Sequence, residues 1–259
     1  MLAEVTALRY VTPLREGGSL PGVMEGDDDG TYVVKFTGAG QGPRTLAAEV
    51  ICAHLLRALD LPVPDLVTVA IDPALAIGEP DEEVQDLLRA SPGRNLGMDF
   101  LPGALDLDVR AFPVDPVLAG KILWFDALVA NVDRSWRNPN MLSWHGRPYL
   151  IYHGATLTFA HHWPGAEAWV AREYDAREHA LITSEPQLAE ADAGLAPLVT
   201  EALVKAAVAE VPAEWLNDPL PLQTFGGLPE LRAAYVRQVI GRLDARPRWL
   251  PALLESTQR

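Results

Sequence analysis

Asn131-Val132-Asp133-Arg134-Ser135-Trp136-Arg137-Asn138-Pro139-Asn140 is the stretch on which the reading of this chain turns. It holds two arginines, one aspartate and three asparagines. Before it lies an apolar segment with the length of a helix, Pro116 to Ala130. After it come two short strand-like runs, Met141 to Trp144 and Arg147 to Ile151, turning at His145-Gly146. Polar side chains in such a place must face solvent or a ligand, because burying them unpaired is costly.

An aspartate followed five residues later by an asparagine, here Asp133 and Asn138, suits phosphoryl transfer. The carboxylate accepts or orients an attacking hydroxyl, and the amide oxygen can hold Mg²⁺ on the same loop. Taken alone the pair is a weak signal, since caps and turns use both residues constantly. Its surroundings strengthen it. Lys35 ends a β-branched and aromatic run, Thr31 to Phe36, that follows a glycine-containing turn at residues 15–21. Glu49 lies on the next helical segment, Pro43 to Leu59, where Leu46, Val50, Ala53 and Leu56 share a face. Glycine loop, strand lysine, helix glutamate, then Asp and Asn after an apolar helix is the order of parts in a protein kinase. Lys35 would neutralise the α- and β-phosphates of ATP, and Glu49 would hold its ammonium in place.

Further signals outside the loop complete the pattern. Strands are expected at Val5 to Val11, near Val23-Met24, at Leu66 to Ile71 and at Asn95 to Leu101, with a surface helix from Pro80 to Ala90. From Ala166 onward helical stretches alternate with breaks at Pro186, Pro212, Pro219 and Pro221. Asp126, inside the apolar helix, is expected to satisfy buried donors near the loop. His153, His161 and His162 lack a well-placed Cys or carboxylate, so a helix-linker or loop-surface role is expected rather than zinc. Core packing is expected of Trp124, Trp136, Trp144, Trp163 and Trp169, with substrate contact as the alternative for Trp136 inside the polar loop.

Composition excludes some classes of partner. With 259 residues, 49% hydrophobic, the chain can bury a sizeable core. Its net charge of −14, with Lys and Arg scattered, argues against nucleic acid and against an anionic membrane surface. The start has no signal-peptide pattern and no window is long and apolar enough to span a bilayer, so a cytoplasmic location is expected. Cys52 is the only cysteine and lies in an apolar helical stretch, which reads as a small buried hydrophobe.

The chain resembles the small bacterial HipA-like kinases, relatives of the HipA toxin kinase and more distantly of phosphatidylinositol 3-/4-kinases. The matching stretches are residues 15–21, Tyr32 to Phe36 with residues 38–42, Asp99 to Gly103, Asn131 to Asn140 and Leu150 to Ala155. They cover about the first 165 residues well and the helical tail loosely, and a counterpart of the toxin's N-terminal extension is not expected. The resemblance implies an α+β, two-lobed protein-kinase-like fold. A small antiparallel-sheet N-lobe would take residues 1–101 and a mainly helical C-lobe residues 102–259. It further implies ATP binding, with Gly17, Gly18 and Ser19 at the phosphates, Lys35 and Glu49 as an ion pair, and Asp99, Phe100 and Leu101 as the segment that meets adenine. Asp133 would be catalytic and Asn138 a metal ligand. The partners implied are a nucleotide and a protein or small-molecule acceptor, the γ-phosphate passing to a Ser/Thr-type hydroxyl.

One position departs from the family pattern. Where the family has the second Mg²⁺-binding Asp, this chain has Tyr152. A phenol is neutral at pH 7, bulky, and a poor substitute for a hard anionic ligand. Three readings follow: a natural pseudokinase serving as a regulatory or partner-binding module, a chemistry with one metal or none, or an engineered replacement at this residue.

Overall fold

The structure is a computed structural model and describes residues 1–15, 20–40 and 42–257. The chain divides into two compact units, Met1–Ala47 with Pro64–Pro102, and Ala48–Val63 with Gly103–Arg259. Residues 48–63, counted with the first part on chain order, group with the second.

Among the described residues, the first unit has five strands: β1 (Ala3–Pro13), β2 (Gly22–Gly26), β3 (Thr31–Lys35), β4 (Leu66–Ile71) and β5 (Gly93–Asp99). Helix α1 (Pro43–Ala58) begins in this unit, and α2 (Glu82–Arg89) precedes β5. Asp27 to Gly30 makes the expected turn, with Asp28 accepting from the Gly30 N–H at 3.0 Å, and β2 and β3 pair antiparallel across it. The expected sheet is antiparallel at four of its five junctions; at the fifth, β1 runs parallel to β4. That pairing closes the strands into a barrel in the order β1-β2-β3-β5-β4.

Alternation decides what fills the barrel. Tyr32, Val34 and Phe36 point inward with Val5, Ala7, Met24, Val67, Val69 and Ile71. Gly97 is small of necessity, since a Cβ there would lie 2.6 Å from the Val69 side chain. Lys35, one position from Val34, therefore lies on the opposite face of β3, opposite Leu96 on β5.

The second unit carries a three-stranded sheet and most of the helices. β6 (Leu105–Asp106), β7 (Met141–Trp144) and β8 (Arg147–Leu150) pair antiparallel, β7 and β8 as the expected hairpin. The helices are α3 (Pro116–Val129), α4 (Ala166–Val170), α5 (Leu188–Leu195), α6 (Glu201–Ala209), α7 (Pro219–Phe225), α8 (Leu228–Asp244) and α9 (Arg246–Ser256). Helix α3 starts where Asp115 accepts from the N–H groups of Val117 and Leu118. From Ala119 to Val129 all but Lys121 is buried, which places α3 at the centre of the unit.

Fully buried Arg242 on α8 ties the end of α3 to the region after α4. It donates to the carbonyls of Ala127, Trp169 and Arg172, while its guanidinium lies over the rings of Trp169 and Trp249. Burial lowers its pKa to about 10, yet it remains charged at neutral pH. Among the described residues, no helix is long and apolar enough to cross a membrane.

Candidate active site

The loop at 131–140 is wired from behind. Helix α3 ends at Ala130 in the left-handed region, φ 52°, and the Asn131 N–H returns to the Asp126 carbonyl at 2.8 Å. The Asp126 side chain is fully buried. It accepts from Asn131 Nδ2 at 2.8 Å, Arg134 Nε at 2.6 Å and His179 Nε2 at 3.0 Å. Burial alone would push its carboxyl up, but the Arg134 guanidinium, His179 and Asn131 outweigh it and hold the group far below the usual carboxylate range. The expectation that Asp126 satisfies buried donors therefore agrees with the geometry. Arg134 is equally buried and spreads its donors over three directions: Asp126, the carbonyls of Pro139 and Asn140, and the His153 ring.

On the outer side of this frame stand Asp133 and Asn138, both exposed and near each other. Asn138 Nδ2 lies 3.3 Å from Asp133 Oδ1. Asn140 Nδ2 donates to Asp133 Oδ2 and to the Asp133 carbonyl, each at 2.9 Å. The Asp133 N–H donates in turn to Asn131 Oδ1 at 3.1 Å. The Ser135 hydroxyl accepts from the Asn138 N–H at 3.3 Å. Trp136 departs from the expected core role, being 53% exposed. Its indole N–H donates to Glu178 at 2.5 Å, and the Arg137 guanidinium lies 4.3 Å from its ring.

After β8 the chain passes Tyr152, which is half-buried and holds φ 58°, the left-handed region where Asp and Asn are enriched and an aromatic residue is not. The next two residues meet Glu49 of α1. Its carboxylate accepts from the N–H groups of His153 at 2.8 Å and Gly154 at 3.0 Å. His153 is a correction to the sequence reading. It is buried rather than on a loop surface, and it packs edge-on against Phe125. A guanidinium only donates, so His153 Nε2, 3.1 Å from Arg134 Nη2, must accept, and the proton sits on Nδ1, facing Glu49 at 3.6 Å. Burial pulls the His153 pKa down, Arg134 adds to that, and Glu49 opposes it, so the ring is neutral.

The oxygen ligands for a divalent cation are short by one anion. Of the two positions that the resemblance gives to the metal, Asn138 supplies an amide and Tyr152 a phenol where a carboxylate is called for. Among the described residues, no group of three or more His, Cys, Asp or Glu side chains could hold a metal. The residues present do not fit the two-ligand metal site of the resemblance.

In the first unit, Lys35 ends β3 on the outer face of the barrel. Asp99 and Phe100 have already committed their N–H groups, to the Asp65 carbonyl at 2.8 Å and the Thr31 carbonyl at 3.0 Å. Burial, then Asp65 and Asp28, push the Asp99 carboxyl up. Leu101 is buried. Gly17, Gly18 and Ser19 lie outside the described residues.

Sequence reading did not find the Arg134, His153 and His179 network. A charged residue inside an apolar helix, Asp126, was the available signal that buried donors must converge there.

The fold is of the protein-kinase-like class. A crystal structure of a Helicobacter pylori proinflammatory kinase, CtkA, matches it with a TM-score of 0.57 over 99% of this chain and 98% of that one, at 11% identity. A Golgi casein kinase with Mn/ADP bound aligns less closely, with a TM-score of 0.47, 11% identity, and coverage of 94% of this chain and 72% of that one. A search of the curated proteins finds no match. The HipA-like kinase family model matches residues 9–224, and the chain belongs to that family.

Proposed function

We propose that this protein binds ATP and transfers its γ-phosphate to a Ser/Thr-type hydroxyl of a protein or small-molecule acceptor, at a rate limited by Tyr152. The observation that carries the reading is the pairing of Asp133 with Asn138 and Asn140 on the exposed side of a loop braced by a buried ionic network. Asp133 takes the proton of the acceptor hydroxyl as the oxygen–phosphorus bond forms and the bond from the γ-phosphorus to the bridging oxygen breaks, leaving ADP. Asn138 and Asn140 keep the carboxylate turned outward while this happens. Lys35 and the Gly17-Gly18-Ser19 segment serve the phosphates. With the N–H groups of Asp99 and Phe100 spent inside the barrel, the adenine is met through carbonyls of that segment and through Leu101. Glu49 steadies the turn after Tyr152.

Calorimetric titration of ATP, with and without Mg²⁺, tests the reading together with a turnover assay on Asp133→Ala and Lys35→Ala. Binding to the wild type, and loss of any turnover in both variants, is the expected result. A protein that neither binds ATP nor labels itself or an acceptor removes it.

Tyr152 favours a second reading, a pseudokinase that works as a regulatory or partner-binding module. Losing one anionic ligand beside the triphosphate removes electrostatic stabilisation of the transferring group. ATP binding that ignores Mg²⁺, with no turnover, supports this reading, whereas brisk wild-type turnover refutes it.

A further inference from the structure

Glu49, His153 and Arg134 are buried polar residues that the proposed chemistry does not touch directly. We infer that they form a single positioning chain that sets the place of the Asp133 loop from helix α1. This rests on the kinase reading only for what Asp133 does. The links are short and consecutive. Both Glu49 oxygens are held by the N–H groups of His153 and Gly154 at 2.8 and 3.0 Å, which fixes the turn that also carries Tyr152. The His153 ring accepts from Arg134 at 3.1 Å. Arg134 grips the carbonyls of Pro139 and Asn140 and so closes the loop from 134 to 140 onto its own guanidinium. Asn140, held at its carbonyl, then turns its amide to the Asp133 carboxylate at 2.9 Å.

Physical chemistry makes the chain directional and hard to replace. A guanidinium is a flat fork of five donors, so it can serve Asp126, two carbonyls and an imidazole at once. A lysine ammonium is a single point that reaches one or two of them. His153 has to present a lone pair to that fork, which leaves its proton toward Glu49. Glu49 is held in its buried place by the two backbone N–H groups that point at its carboxylate. Each member thus fixes the hydrogen-bonding state of the next. The Asp126 carboxylate balances the Arg134 guanidinium, and His179 donates to the same carboxylate.

The test compares His153→Gln, which can keep an acceptor facing Arg134, with His153→Leu, which cannot. Trp136 lies within the loop and reports on it. The protein is labelled with 5-fluorotryptophan, and the Trp136 ¹⁹F resonance is identified by its loss in Trp136→Phe. The expected result is a Trp136 resonance near the wild-type position in His153→Gln and displaced by more than its linewidth in His153→Leu. In a turnover-competent Tyr152→Asp background, His153→Leu lowers kcat on the order of 100-fold, the scale for a misplaced catalytic group, with little change in KM for ATP, and Gln restores most of it. A folded His153→Leu protein with an unmoved Trp136 resonance overturns the inference. If that variant does not fold, Glu49→Gln decides the matter. It sets an amide N–H₂ against one of the two backbone donors, and an unmoved resonance there likewise overturns the chain. Absence of turnover in every variant refutes the kinase reading and leaves the resonance result standing.

Discussion

Replacing Asp126 by Asn should destabilise the protein severely although it changes a single functional group. In the wild type, Oδ1 accepts from Asn131, and Oδ2 accepts from both Arg134 and His179. Asn has one oxygen. Turned toward Arg134 and His179, it sets its own N–H₂ against the Asn131 N–H₂. Asn131 can escape only by flipping its amide, and then the Asp133 N–H loses the Oδ1 that now accepts from it at 3.1 Å. Meanwhile Arg134, with 0% side-chain exposure, keeps its charge without a counter-ion. Breaking a buried pair from one side costs about 3–5 kcal/mol. A chain of this size loses roughly 2–4 °C in Tm per kcal/mol, so the midpoint should fall by roughly 6 to 20 °C.

Thermal and urea unfolding measure this directly, and pH separates charge from shape. A carboxylate held below its ordinary value near ~3.9 contributes stability that is complete above that value and is lost as pH falls below it. Wild-type stability should therefore slope downward in acid more steeply than that of Asp126→Asn, and the two should converge there. Replacing both partners, Asp126→Leu with Arg134→Met, should recover part of the loss because no buried charge remains unpaired. A fall in Tm under about 2 °C for Asp126→Asn, roughly 1 kcal/mol or less, would show that the network does not carry the loop.

Other outcomes follow from single residues. Tyr152→Asp places a carboxylate at a left-handed backbone position that Asp tolerates, and calorimetry should find ATP binding newly enhanced by Mg²⁺; identical titrations with and without Mg²⁺ would count against a competent scaffold. Arg242→Met strands the carbonyls of Ala127, Trp169 and Arg172 in the interior, and chemical unfolding should register a loss of about 3 kcal/mol or more. Cys52, buried and 3.2 Å from the Thr156 hydroxyl, has its thiol pushed well up by burial; a thiol reagent at pH 8 should leave it unmodified until denaturant is added, and rapid labelling of the native protein would contradict this. Lowering the pH below about 6.5 should weaken the fold through His153, whose depressed pKa contributes stability that is complete above that value; His153→Gln should lose this slope.

Much of the framework was legible in the chain order. Helix α3 announces itself through a mainly apolar run behind Asp115 and Pro116, and β3 through β-branched and aromatic residues after an Asp-Gly turn. The pairing of Asp133 with Asn138 was readable because both lie on one short loop, where spacing along the chain sets distance in space. The parallel junction of β1 with β4 was not readable, because the two strands are joined through the rest of the barrel and nothing local encodes their register. Trp136 and His153 were misjudged for a related reason. Residue type suggests burial for the indole and exposure for the imidazole, but each is placed by a distant partner: Glu178 for the first, Glu49 and Arg134 for the second.

By itself, then, the order of residues determined which segments become helix or strand and that a polar loop with Asp133 must face outward. Those properties depend on local backbone preference and on the cost of burying polarity, both of which act over a few neighbours. Only the tertiary structure decided that Asp126, Arg134, His153 and His179 meet, that Glu49 grips the turn after Tyr152, and that the sheet closes on itself. These depend on buried charges and hydrogen bonds finding partners as far as 105 positions apart along the chain, from Glu49 to Gly154, a choice made by packing that no short window of sequence contains.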